Sequence, residues 1–267
     1  MLEIPEIERV RRELDKRWIN QRIRQIHVQR ESWLNVSAAE LSDAVNGKML
    51  LYVERRGKAL IFHLDDGRRL FIQIGFGGEM QSYSAEEWSE LDGKAQLSIH
   101  FDHGVWQVTG ARTLSIQWIT AKELDEQLRK WGPDPLSRSL NAELFQRRFA
   151  KRRSALKTAL TNPALLSGIT PIVADEICYE AGLLPSVKTE QLSDQEWAAL
   201  YEAMIAWLQL AIEQPDQQVY RVTGHAGEAC GRCGAKIVET MISGKAANHC
   251  SQCQTEHILL PEPVIHS

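Results

Sequence analysis

Four of the chain's five cysteines fall into two Cys-x-x-Cys pairs, Cys230/Cys233 and Cys250/Cys253, with sixteen residues between the pairs. Each pair can set two thiolates on one turn, and two such turns make a tetrahedral four-thiolate site for zinc. Disulfide pairing and thiol redox exchange share the motif. No signal-peptide pattern opens the chain, so a reducing compartment is expected and disulfides are not. Redox exchange needs a thioredoxin-like βαβ setting, which this pattern lacks. One structural zinc ion is therefore the expected occupant. With all four positions filled by protein, it would stabilise the fold rather than perform chemistry. The fifth cysteine, Cys178, lies in a helical stretch without a partner and reads as a buried, inert thiol.

The elements that must position these thiols follow from the pattern around them. Ala235–Met241 and Lys245–His249 flank Ser243-Gly244, which predicts a β-hairpin with its tip near Gly244. Upstream, Pro5 to Trp18 reads as a helix with Ile7, Val10, Leu14 and Trp18 on one apolar stripe. Strand-like runs follow at Arg22–Arg30, Met49–Arg55, Ala59–His63, Leu70–Ile74, Gln96–Phe101, Val105–Val108 and Leu114–Ile119. So many short strands joined by polar turns predict a β-sandwich or flattened barrel. A boundary is expected near Trp131-Gly132-Pro133-Asp134-Pro135.

Helices are expected beyond that boundary. Ser139–Arg153 ends in the basic cluster Arg147, Arg148, Lys151, Arg152 and Arg153, and Ala155–Leu160 continues as a helix. Thr170-Pro171 opens another helix that stops at Gly182. Ser193-x-x-Glu196 is a capping box ahead of a long helix whose tryptophans, Trp197 and Trp207, fall at core spacing. The fold class is thus multidomain α+β, with an opening helix plus β-sandwich over 1–131, a helical domain over 132–222 and a four-cysteine zinc ribbon over 223–267.

The 267 residues are 43% hydrophobic and 25% charged, enough for about two domains and the small metal module. No apolar run approaches the ~20 residues of a membrane span. A net charge of -4 supplies no global attraction for a polyanion, so any nucleic-acid contact must come from local basic patches.

The order of the pieces resembles the formamidopyrimidine-DNA glycosylase / endonuclease VIII family of base-excision repair proteins. Leu2-Glu3-Ile4-Pro5-Glu6-Ile7-Glu8 looks like the family's Pro-Glu-Leu-Pro-Glu-Val-Glu opening, and Arg55-Arg56-Gly57-Lys58 like its basic loop. Gly132-Pro133-Asp134-Pro135-Leu136 matches its interdomain linker. Gly168 through Ala174-Asp175-Glu176, then Ala181-Gly182 and Pro185, resembles its helix–two-turns–helix motif. Val222 to Cys230 enters the zinc finger in family style.

The resemblance implies a monomeric clamp on double-stranded DNA that carries a lesion or an abasic site, working in the cytoplasm and at the nucleoid when bound. The damaged nucleotide is flipped out, because its sugar is out of reach inside the duplex. In the family the N-terminal proline amine attacks C1′ and forms a Schiff base, and the sugar is then eliminated. A carboxylate opens the ring. Carried over, Glu3 takes the place of the catalytic acid, Glu6 of the second buried glutamate and Lys58 of the basic-loop lysine. Arg56, Phe76, Arg112, Leu114, Lys151 and Lys245 take DNA-contacting places, with Phe76, Arg112 and Leu114 filling the void left by the flipped base.

Departures from the family pattern set the functional expectation. Leu2 stands where the proline should be, and a bulky second residue protects Met1 from removal, so the α-amine would sit on Met1, one residue further out. Pro171 replaces the phosphate-contacting asparagine, Thr113 the second arginine of the Arg-Arg-Phe loop, and Lys245 the bidentate zinc-hairpin arginine. The reading is a DNA glycosylase/AP lyase of weakened or altered activity, with the Met1 amine or Lys58 as nucleophile. The competing reading is a catalytically silent protein that recognises abasic or distorted DNA. A third, a zinc-stabilised protein partner, leaves DNA behind.

Overall fold

The computed structural model describes residues 2–88, 95–149, 151–215 and 219–258. The chain divides into two compact units, residues 1–130 and 131–267.

In the first unit, α1 (Ile4–Trp18) starts at the N-cap Glu3, whose backbone N–H donates to Glu6 Oε2 at 2.9 Å, and carries Pro5 in its first turn. Ile7, Leu14 and Trp18 are buried along one stripe. The order then runs β1 (Ile23–Val28), α2 (Ala38–Val45), β2 (Leu50–Arg56), β3 (Ala59–Leu64), β4 (Arg68–Ile74), β5 (Glu79–Ser84), α3 (Ala85–Trp88), β6 (Leu97–Phe101), β7 (Gly104–Thr109), β8 (Leu114–Thr120) and α4 (Ala121–Leu128).

Eight strands form two antiparallel four-stranded sheets, β1-β6-β7-β5 and β2-β3-β4-β8. One core joins them. Ile23, Leu97, Ile99, Trp106 and Val108 of the first sheet meet Val53, Phe62, Leu70, Ile72 and Ile116 of the second. Across it, Phe62 lies 5.5 Å from Trp106, and Trp18 of α1 stacks on Phe101 at 4.9 Å. The β-sandwich expected from the strand pattern is therefore present.

The second unit holds α5 (Ala142–Phe149), α6 (Leu156–Leu160), α7 (Pro171–Ala181), α8 (Asp194–Glu213) and the hairpin β9 (Ile237–Ile242) and β10 (Lys245–Cys250). Phe145 and Phe149 of α5 pack on Trp197 of α8, and Trp197 and Trp207 are buried as their spacing implied. Gly132 shows why the boundary stretch needs glycine: a Cβ there would meet the Leu165 carbonyl carbon at 2.3 Å. The expected helix over 139–153 is shorter at both ends. Asn141 caps it by accepting from the Leu144 N–H, and Lys151–Arg153 fall beyond its last turn.

Buried polar groups fix the hairpin, and the segment that leads towards it, to the helices. Glu176 accepts the backbone N–H groups of Arg221, Val222 and Thr223 at 2.7–3.2 Å. Lys157 Nζ reaches Asp175 at 2.8 Å and the Ala246 carbonyl, while Asp175 also takes the Asn248 N–H at 2.9 Å. An amphipathic stripe could not have located these contacts, because the hydrogen bonds pair residues 18 or more apart in sequence. No helix of the described residues is long and apolar enough to cross a membrane.

Candidate active site and metal centre

Glu3 lies at the mouth of α1, fully buried, with both carboxylate oxygens shielded from solvent. Lys58 belongs to the two-residue turn Gly57-Lys58 between β2 and β3, where Arg56 faces Ala59 and Gly57 takes φ +56°. The turn brings Lys58 Nζ to 4.0 Å from Glu3 Oε2, an ion-pair contact rather than a hydrogen bond. Chain order separates these groups by two helices and two strands, and the fold puts them together. Glu6 faces its own N-terminus and Arg9, at 3.4 Å. Met1, the proposed carrier of the α-amine, lies outside the described residues.

Leu2 is a core residue, 8% exposed. A side chain at Gly78 would meet Ile74 Cγ2 at 2.5 Å and Leu2 Cδ1 at 3.2 Å, so the glycine leaves room for the leucine. An open cavity of about 550 Å³ borders Leu2, Glu6, Arg9 and Gly78–Gln81.

Beside it, two loops are zipped together. The Arg112 N–H donates to the Phe76 carbonyl at 2.9 Å, and the Gly75 N–H to that of Thr113 at 2.8 Å. Gly77 and Gly110, both with positive φ, approach so closely that a Cβ on either would sit about 3 Å from the other's carbonyl oxygen. This presents the Phe76 ring, 51% exposed, under the Arg112 guanidinium at 5.0 Å. Leu114 does not join them. It pairs with Ile74 in β8 and is buried in the sandwich.

Arg56 lies on the face of β2 opposite Arg55, close enough for its charge to help lower the Glu54 pKa, after the hydrogen bond from His63. Lys151 lines an open basic pocket of about 450 Å³ with Arg147, Arg148 and Arg152. Lys245 is exposed at the start of β10, just after the turn Ser243-Gly244, whose φ angles of +50° and +76° are those of a type I′ hairpin.

The four sulfurs of Cys230, Cys233, Cys250 and Cys253 lie within 4.8 Å of one another, with Cys230–Cys253 at 3.8 Å and Cys233–Cys250 at 3.5 Å. Metal–sulfur bonds of ~2.3 Å in a tetrahedron give edges of ~3.8 Å, so the cluster can hold one metal ion. Each turn also aims N–H groups at its sulfurs: Arg232 to Cys230 at 3.4 Å and Cys253 to Cys250 at 3.3 Å.

Tyr179 of α7 adds a hydroxyl 3.3 Å from Cys230 Sγ, and the Arg232 guanidinium caps its ring at 4.2 Å. Burial pushes the Cys230 thiol up, but these donors outweigh it and bring the pKa to about 6. Burial and the neighbouring sulfurs push Cys250 and Cys253 up, so a bound cation is what would draw off their protons.

Sequence reasoning missed two features here: Tyr179 as a partner of Cys230, and the tie from Arg55 to Glu8, at 2.9 Å. The second had a signal. Glu8 and Asp15 stand seven apart on one face of α1, and Val53 and Arg55 share one face of β2.

Comparison with known proteins agrees with the fold. The formamidopyrimidine-DNA glycosylase N-terminal domain matches residues 1–116 and that family's H2TH domain matches 131–222. Formamidopyrimidine-DNA glycosylase of Enterobacter sp. (strain 638) is 30% identical over 273 residues, covering 95% of this chain and all of the relative. That of Desulfitobacterium hafniense is 29% identical with the same coverage. Among solved structures, the Lactococcus lactis enzyme non-covalently bound to DNA containing an AP site superposes with a TM-score of 0.85 at 28% identity, over 95% of this chain and all of that one. A second structure of the Lactococcus lactis enzyme, with Fapy-dG-containing DNA, gives 0.85 at 27%. Two domain matches in the family's order and relatives matched over their whole length agree: the chain belongs to the formamidopyrimidine-DNA glycosylase / endonuclease VIII family.

Proposed function

We propose that the chain is a DNA glycosylase/AP lyase of base-excision repair that acts on double-stranded DNA carrying an everted lesion or abasic site. The observation that carries this is the buried Glu3 carboxyl with Lys58 Nζ at 4.0 Å. The chemistry needs a neutral amine to attack C1′ and a carboxylic acid to protonate the ring oxygen as the sugar opens. An ammonium beside a carboxylate differs from that pair by the position of one proton. At an abasic site the C1′ hydroxyl leaves as water, and at a lesion the base leaves C1′ instead; with the ring opened, either gives the iminium. The iminium acidifies the C2′ proton, and removal of that proton expels the 3′ phosphate. Phe76 and Arg112 take the space left by the everted base. One zinc ion held by the four cysteines keeps the hairpin that presents Lys245 in shape.

A second reading, recognition without cutting, is favoured by Leu2. The residue aligned with the family's nucleophilic proline is a core side chain here, and an amine on Met1 would sit ~3.8 Å further along the chain, where ~1 Å of misplacement costs about a hundredfold.

Borohydride trapping on a duplex with one abasic site separates these, with the native N-terminus confirmed by intact mass. The expected result is a covalent adduct with the wild type that is lost in Glu3→Gln. An adduct also lost in Lys58→Ala assigns the nucleophile to the lysine, and one that survives assigns it to the Met1 amine. No adduct despite tight binding to the same duplex would leave the recognition reading.

A further inference from the structure

The geometry points to Arg55 as a positioning residue that holds the Gly57-Lys58 turn against Glu3 by clamping it to α1 through Glu8. The inference rests on the reading that Glu3 and Lys58 form the site. The Arg55 side chain is 4% exposed. Its Nε donates to Glu8 Oε2 at 2.9 Å, and its Nη1 folds forward to the Gly57 carbonyl at 2.9 Å. One end of the guanidinium is thus fixed to the helix that begins at Glu3. The other end is fixed to the peptide that carries Lys58.

The clamp does more than neutralise Glu8. Arg11 and Arg12 already occupy Glu8 Oε1, at 2.9 and 3.2 Å. The far end of Arg55 meets a peptide oxygen, which carries no charge to be balanced. Five residues of helix, ~7.5 Å of rigid rod, separate Glu8 from Glu3, so a shift of the turn relative to Glu8 becomes a shift of Lys58 relative to Glu3. Two donors in a planar fork are required, and a lysine at 55 would have to choose between the two acceptors. A second tie between the same elements lies further along: Asp15 accepts the Val53 N–H at 2.8 Å, away from the turn.

The test compares Arg55→Lys and Glu8→Gln with Asp15→Asn, which removes the charge from the tie between the same helix and strand at its other end. The first readout needs no activity. Lysines are labelled by reductive ¹³C-methylation, the Lys58 signal is assigned by its absence in Lys58→Arg, and its shift is followed when Glu3→Gln is added to each background. Glu3→Gln should move the Lys58 signal in the wild type and in Asp15→Asn, and leave it unmoved in Arg55→Lys and Glu8→Gln. In the trapping assay, Arg55→Lys should lower the maximal rate by about 10- to 100-fold with little change in the concentration giving half-maximal rate, and Asp15→Asn should not. A Lys58 signal that still responds to Glu3 in Arg55→Lys overturns the positioning role. A wild type that gives no adduct while the coupling behaves as described overturns the lyase reading and leaves the clamp standing.

Discussion

Glu8 shows how much one carboxylate can hold. It receives Arg11 and Arg12 from its own helix and Arg55 from β2, with its side chain only 11% exposed. Burial pushes its pKa up, but the hydrogen bonds and charges of Arg11 and Arg55 outweigh that and leave it below the ordinary 4.5. A depressed carboxylate stabilises the fold above its unfolded-state pKa, and that contribution is lost as the pH falls through the folded one. Glu8→Ala is expected to cost about 3–5 kcal/mol near neutral pH, because it leaves the Arg55 charge buried without its carboxylate. Urea unfolding should show the gap between Glu8→Gln and the wild type shrinking below about pH 4. A gap that stays constant down to pH 3 would separate Glu8 from the ionic network.

At the scale of elements, the local signals that the sequence carries are the ones that survive in the fold. The Thr170 N-cap, Pro171 at the first helical position and the left-handed Gly182 bound α7 as expected, and Ser193 opens α8 with its capping box. Two capped helices were nonetheless passed over. Ser37 caps α2 and Thr120-x-x-Glu123 caps α4, each with its signal in plain view but with too short an apolar stripe to attract notice. β5 was missed for a different reason. Glu79–Ser84 is an edge strand with a mostly polar run, so it shows no period-2 apolar alternation.

The tie from Arg55 to Glu8 and the meeting of Glu3 with Lys58 are tertiary facts. Periodicity could place each residue on a face but not say which faces meet. Pro171 carries this paragraph's prediction. Under the proposed function, Pro171→Asn should restore a phosphate contact at the head of α7. The slope of log affinity against log salt should then steepen by about one unit on abasic duplex, with only a small loss of thermal stability, since proline at that position is merely preorganised for the helix. An unchanged slope would mean that the head of α7 does not approach a phosphate.

For the whole molecule, under the proposed function, a net charge of -4 leaves DNA attraction to local groups such as Lys58 and Arg112 in the first unit, and Lys245 and the pocket of Arg147, Arg148, Lys151 and Arg152 in the second. Such binding should weaken steeply with salt. The metal centre makes the larger claim on integrity. Cys230 and Cys250 form one small core with Tyr179, Val222 and Ile237, so the hairpin's apolar packing is built around its thiolates. Removing the metal with a chelator is expected to lower the unfolding temperature and to abolish the contribution of Lys245 to duplex binding, measured against Lys245→Ala in the metal-loaded protein.

Sulfur then becomes a reporter. With the metal in place, a thiol reagent should find nothing to react with quickly: four sulfurs are ligands, and Cys178 is fully enclosed, its thiol pushed up by burial. Loss of the metal should release a rapid burst of four equivalents, and global unfolding a fifth. One colorimetric titration on one sample would thus count, in order, the opening of the ribbon and the collapse of the helical core behind it.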